Sequence, residues 1–137
     1  MRLARLVLDT GVLLAFFNDR DEFHAIAIEG FEALNAMNTR LITPSCVVLE
    51  VAKRLLFDVN ATAMQTATRA MLETLEVLDT TPFGIRDALE LIENMKKWNA
   101  TLEDAIVINT ALALNAPVWT FNDRDFGNIK NLDFWNP

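Results

Sequence analysis

The sequence predicts a single α/β domain, a mostly parallel central sheet flanked by helices. Three observations predict it. Short apolar runs recur at 5–9, 40–44, 76–81 and 117–121. The stretches between them repeat apolar residues at helical spacing. The chain, 137 residues and 52% apolar, can bury one core, and it shows no linker, internal repeat or low-complexity tract. Residues 1–137 are therefore read as one domain.

The elements follow in order. "RLVLD" (5–9) reads as a buried strand ending in Asp9, and "TGVLLAFFN" continues it as a helix. Residues 22–37 place Phe23, Ile26, Ala27, Phe31, Leu34 and Met37 at helical spacing, interrupted by Gly30. "RLITP" (40–44) is a second strand. Thr43 before Pro44 signals a helix start with proline in the first helical position, and the helix is "SCVVLEVAKRLLFD". A further helix covers 60–76 from Asn60, "EVLDTT" (76–81) is a third strand, and Pro82 opens a helix over 83–98. In "NATLEDAIVINTALALNAPVW" (99–119) the apolar residues cover every side of a helix, the pattern of a buried one. "PVWTF" (117–121) is a fourth strand, "NDRDFGNI" a turn with room for one helical turn, and "KNLDFW" a last short strand.

Composition removes several classes of function. No apolar run reaches the ~18 residues of a membrane span. The N-terminus reads as a strand rather than a signal peptide. Cys46 is the single cysteine, so no internal disulfide or cysteine-rich zinc site exists, and a cytoplasmic location is expected. His24 is the single histidine, which removes two-histidine mechanisms. The net charge of −7 argues against broad nonspecific nucleic-acid binding but not against an acidic, cation-dependent enzyme.

The acids fall in a pattern. Asp9 ends the first strand, and Asp123 and Asp125 follow the fourth. In a parallel sheet, all strand C-termini share the edge where ligands bind. Asp104 opens the buried helix, and Glu50 lies about one turn into the helix after strand two. Each has a local explanation. Asp9 suits an N-cap. Asp104 with Thr101 resembles a capping box. Glu50 suits an ion pair with Arg54. Asp123 and Asp125 suit a solvated turn. Together they can converge on one edge, where a divalent cation, Mg²⁺ or Mn²⁺, would offset their repulsion and activate a water. Glu103, about 100° round the helix from Asp104, is expected to matter much less.

On these motifs the sequence resembles the PIN-domain family, and within it the VapC-type toxin ribonucleases. The residues that carry the resemblance are "LVLDTGVLLAFF" with Asp9, "NDRDEFHAIA" with His24, "LITPSCVVLEVAKRLL" with Glu50, the "DAIVINTAL" stretch with Asp104, and "VWTFNDRDFGNI". The family's fourth acid lies two residues after the Thr. Counting from Thr120 puts Asn122 there, and counting back from Phe126 puts Asp123 there; Asp123 is favoured, with Asp125 in support.

The resemblance implies a Mg²⁺-dependent endoribonuclease, with Mn²⁺ a substitute, in which Asp9, Glu50 and Asp104 hold the metal. It also implies an RNA substrate, an antitoxin partner and a homodimer. Lys53, Arg54 and Arg124 are candidates for RNA phosphates. Thr10, Thr120 and Asn122 are candidates for bonds to the carboxylates. His24 is read as a helix-end residue. Phe16, Phe17 and Trp98 suit either an interface or the core. Three other readings compete. An inactive PIN-like scaffold binding RNA or protein would share the pattern. A HAD-like phosphatase needs an acid where Gly11 stands. A receiver domain needs adjacent acids after its first strand, and "RLVLDT" has one.

Overall fold

The computed structural model describes residues 3–137. The elements are β1 (Arg5–Leu8), α1 (Thr10–Phe17), α2 (His24–Ala36), β2 (Arg40–Pro44), α3 (Ser45–Asp58), α4 (Ala61–Thr74), β3 (Glu76–Leu78), α5 (Pro82–Glu93), α6 (Leu102–Leu114), β4 (Val118–Trp119) and α7 (Asp123–Phe126). The strands form one sheet in the order β3-β2-β1-β4, and every pairing is parallel. Leu6, Val7 and Leu8 on β1 are fully buried, so both faces of the sheet are covered. The α/β expectation is met.

Chain order reverses at β1. The chain moves outward to β2 and β3, then returns to lay β4 on the other side of β1. Such a switch point opens a crevice at the strand C-termini. Asp9 leaves β1 at this point, and its backbone N–H donates to the Trp119 carbonyl of β4 (3.2 Å). Helix α6 packs on β1, β2 and β4 and also touches α3 and α5. Ala105, Ile106, Val107, Ile108 and Ala111 are buried there, as an all-round apolar helix requires.

Local chemistry explains most boundaries. Asn60 caps α4 by accepting from the Ala63 N–H, and Thr81 caps α5 ahead of Pro82 by accepting from Gly84. Asn115, in the left-handed region at φ 50°, closes α6. Gly30 interrupts the apolar spacing of α2 because a Cβ there would overlap the buried indole of Trp119. The glycine marks a close crossing.

Several boundaries differ from expectation. Thr43 does not cap α3. It belongs to β2, donates to the Leu8 carbonyl (3.1 Å), and leaves Pro44 as the N-cap. Strand β3 stops at Leu78 because Thr80 exchanges bonds with the start of α3: Cys46 N–H to Thr80 Oγ1 at 3.0 Å, and Thr80 N–H to Ser45 Oγ at 2.9 Å. Helix α5 ends at Glu93 rather than 98, since Asn94 donates to the Glu90 carbonyl through its side chain as well as its backbone. The stretch read as a last strand gives one bridge, Val118 to Phe134. Phe16, Phe17 and Trp98 are partly buried. Phe17 and Trp98 pack against the core, and Phe16 meets Phe17 and Phe31 edge-on.

Candidate active site

Asp9 is the centre. It caps α1, its Oδ1 accepting the Thr10 backbone N–H (2.8 Å), and its Oδ2 accepts the Thr120 hydroxyl (2.7 Å). It is 4% exposed. Burial pushes its carboxyl well above the ordinary range. The charge of Asp104 pushes it further, against the pull of Thr120 and Thr10.

Asp104 is both a capping residue and a site residue. Its Oδ2 accepts the Thr101 N–H (3.1 Å), and its own N–H donates to Thr101 Oγ1 (3.1 Å), a complete capping box. The same carboxylate stands close enough to Asp9 to raise it.

Glu50, on α3, is half-buried. Burial raises its carboxyl, the Thr10 hydroxyl opposes this, and Glu103 and Asp104 add to it. The Thr10 hydroxyl itself makes no hydrogen bond of good geometry and is left buried without a partner. The ion pair expected between Glu50 and Arg54 is absent. Among the described residues the one ion pair is Arg40 with Glu76 (2.8 Å), outside this region. Arg54 and Lys53 instead line a cavity with Glu50 and Glu103.

Glu103 is a neighbour of Glu50 that the sequence did not pair with it. It lines the same cavity as Glu50, and its charge helps to raise the Glu50 carboxyl. It also bears on Cys46, whose thiol is raised, first by burial and then by Glu103 and Glu50. No local signal marks Glu103, because its role depends on how α3 and α6 pack.

The turn after β4 divides the remaining candidates. Thr120 is buried and donates to Asp9 while accepting the Asn122 N–H (2.9 Å). Asn122 caps α7 and donates its amide to Asp125 Oδ2 (3.1 Å). Asp125 is buried on that amide, whereas Asp123 is exposed and not among the groups that shift Asp9. Arg124 is exposed beside it. His24 is structural, its Nδ1 2.7 Å from the Ala15 carbonyl, tying α2 to α1.

A divalent cation suits the donor chemistry here. The groups are oxygens only, they repel one another, and the buried Thr10 hydroxyl lacks a partner. The acids stand in interacting pairs. Among the described residues no three of His, Cys, Asp or Glu form a closed metal-holding group.

The family model described as PIN domain matches residues 6–132. Comparison with the curated proteins finds no match. Among solved structures the chain is similar to VapC20 of Mycobacterium tuberculosis, described as a sarcin-ricin-loop-cleaving toxin. The identity is 18%, over 96% of this chain and 99% of that one, with a TM-score of 0.82. It is also similar to VapBC2 of Rickettsia felis bound to a promoter DNA fragment, at 22% identity over 97% and 98% with a TM-score of 0.75. A third is VapBC-1 of nontypeable Haemophilus influenzae, at 21% over 96% and 97% with a TM-score of 0.71. At these identities the likeness shows a shared fold.

Proposed function

The chain belongs to the PIN-domain family, and on that premise we propose that it is a divalent-metal-dependent endoribonuclease, the toxin of a toxin–antitoxin pair. One observation carries the reading. Asp9 at the end of β1 and Glu50 on α3 each feel the charge of Asp104 at the start of α6, and none of the three is ion-paired with a Lys or Arg among the described residues. Carboxylates that repel one another with no ion-paired Lys or Arg are costly to stability, and a bound divalent cation would offset that cost.

Asp9, Glu50 and Asp104 would hold Mg²⁺, with Mn²⁺ a substitute, directly or through water. When bound, the ion supplies an acidified water and neutralises charge on a phosphodiester oxygen. Thr120 and the Thr10 N–H hold Asp9 in one orientation. Glu50, half-buried at the mouth of its cavity, can orient or accept a proton from a nucleophilic water. Lys53 and Arg54, exposed on the next turn of α3, would contact RNA phosphates, with Arg124 a further contact. Asp123, exposed, lies outside this set.

Self-association and an antitoxin are part of the same reading. The similar structures include toxin–antitoxin assemblies. Large apolar residues here are also exposed, among them Leu49 (70%), Phe57 (75%) and Phe83 (73%). No described helix is long and apolar enough to cross a membrane, which suits action in the cytoplasm. The test is incubation of the purified protein with a mixed RNA pool in Mg²⁺ and in EDTA. Cleavage in Mg²⁺ alone, lost in Asp9→Asn, is expected. Intact RNA under both conditions would favour the non-catalytic scaffold.

A further inference from the structure

Asp9 also borders a second cavity of about 350 Å³, whose other lining residues the metal chemistry does not use. Its wall includes Phe23 and Phe121, whose rings stack with centroids 4.6 Å apart and planes 24° apart. Phe121 backs onto the core, meeting Trp119 edge-on at 6.0 Å. Phe23 is half-buried and is not part of the core cluster. Its position is nevertheless fixed from both sides. Its N–H donates to Asp21 Oδ1 (2.9 Å), and the next residue, His24, lies 2.7 Å from the Ala15 carbonyl. The result is a stacked aromatic pair in the wall of the cavity that Asp9 also lines.

The charges on that wall select what can lie there. Asp9, Asp21 and Glu22 share the cavity with a single cation, Arg54. An acidic wall repels phosphate, so a nucleic acid would present its uncharged base to this side. Arg54 also lines the neighbouring cavity with Glu50 and Lys53, so one guanidinium borders both spaces. A backbone passing Arg54 would leave an adjoining base over the rings. Bases splayed from single strands stack on aromatic side chains in this way.

We propose that the cavity formed by Phe23, Phe121 and Arg54 beside Asp9 is a nucleobase subsite, taking one unpaired base of a single-stranded RNA on the phenylalanine platform while Arg54 meets its phosphate. The proposal rests on the nuclease reading for its substrate. It adds where one base of that substrate lies.

The test is equilibrium binding of a short labelled oligoadenylate, and of an abasic oligomer of equal length, in EDTA. Phe23→Leu should weaken oligoadenylate binding by roughly 5- to 150-fold, the range of one stacked base, and leave the abasic oligomer unchanged. Phe23→Tyr keeps the ring and should retain affinity. Arg54→Gln should weaken both ligands. Phe121→Leu is read only at a temperature where its circular dichroism matches the parent, because that ring supports the core; Phe23→Leu carries the result otherwise. Equal affinity of parent and Phe23→Leu for oligoadenylate overturns the subsite. Cleavage of the RNA pool by the parent, measured alongside, separates the two failures. Cleavage with Phe23-independent binding sinks the subsite alone. Ring-dependent binding without cleavage sinks the nuclease alone. A parent that neither binds nor cleaves sinks both.

Discussion

Helices α6 and α7 start in the same way and serve Asp9 differently. Each has an acid three residues after its N-cap, bonded back to that cap: Asp104 to Thr101 and Asp125 to Asn122. Asp104 turns the rest of its charge on Asp9 and raises it. Asp125 directs its charge to the Asn122 amide (3.1 Å), Asn122 gives its N–H to Thr120 (2.9 Å), and Thr120 gives its hydroxyl to Asp9 (2.7 Å). One acid acts on Asp9 by direct repulsion, the other through a chain of hydrogen bonds that fixes its orientation. A local capping motif therefore says nothing about whether its acid also works at a distance.

The sharpest test of this difference is Asp104→Asn. Asparagine keeps an oxygen for the Thr101 N–H, so the cap survives, while the charge facing Asp9 is lost. RNA cleavage should fall by more than about 100-fold, beyond the 10–100-fold usual for partners outside the ligand set. The melting temperature should hold or rise. Parent-like cleavage would reduce Asp104 to its cap.

The α7 side should respond less. Thr120→Val removes the donor to Asp9 and the acceptor for Asn122, and cleavage should fall about 10–100-fold. Asp125→Ala, two bonds further out, should cost about tenfold or less, with roughly 1 kcal/mol of stability from the lost hydrogen bond. Denaturant melts and steady-state cleavage measure both. If Asp125→Ala proved as damaging as Asp104→Asn, Asp125 would act directly and the contrast would vanish.

Stability offers a readout free of activity. Asp9 and Glu50 have folded values raised above the ordinary carboxylate range, first by burial. Their contribution to stability is therefore complete below that range and is lost as pH rises through the raised folded values. In EDTA the parent should melt lower at neutral than at mildly acidic pH, and Asp9→Asn should flatten that slope. Mn²⁺ at about 100 times its Kd should restore roughly 2.7 kcal/mol at neutral pH. A melting temperature indifferent to Mn²⁺ would count against the cation.

The smallest effects concern Glu103 and Asp123. Glu103→Gln should relieve Glu50, raising the melting temperature in EDTA slightly and shifting the Mn²⁺ midpoint. Asp123→Asn, on an exposed residue, should leave cleavage within about twofold and stability within about 0.5 kcal/mol. A large loss in Asp123→Asn would move the fourth acid back to the position favoured from the sequence.

The sequence by itself determined the parallel α/β arrangement, the helix starts at Asn60 and Pro82, and the placement of Asp9, Glu50 and Asp104 relative to the strands and helices. Those are short-range matters: apolar spacing, turn residues and capping oxygens act within a few residues of where they are read. It also showed that Asp104 had two candidate roles, without showing that they coexist. Tertiary structure alone decided that Glu103 bears on Glu50, that Arg54 leaves the expected ion pair to line two cavities, that Asp125 rather than Asp123 is the buried acid, and that Phe23 meets Phe121. Each of these depends on the distance between side chains far apart in the chain. Helix packing sets that distance, and the periodicity of any one helix carries no record of it.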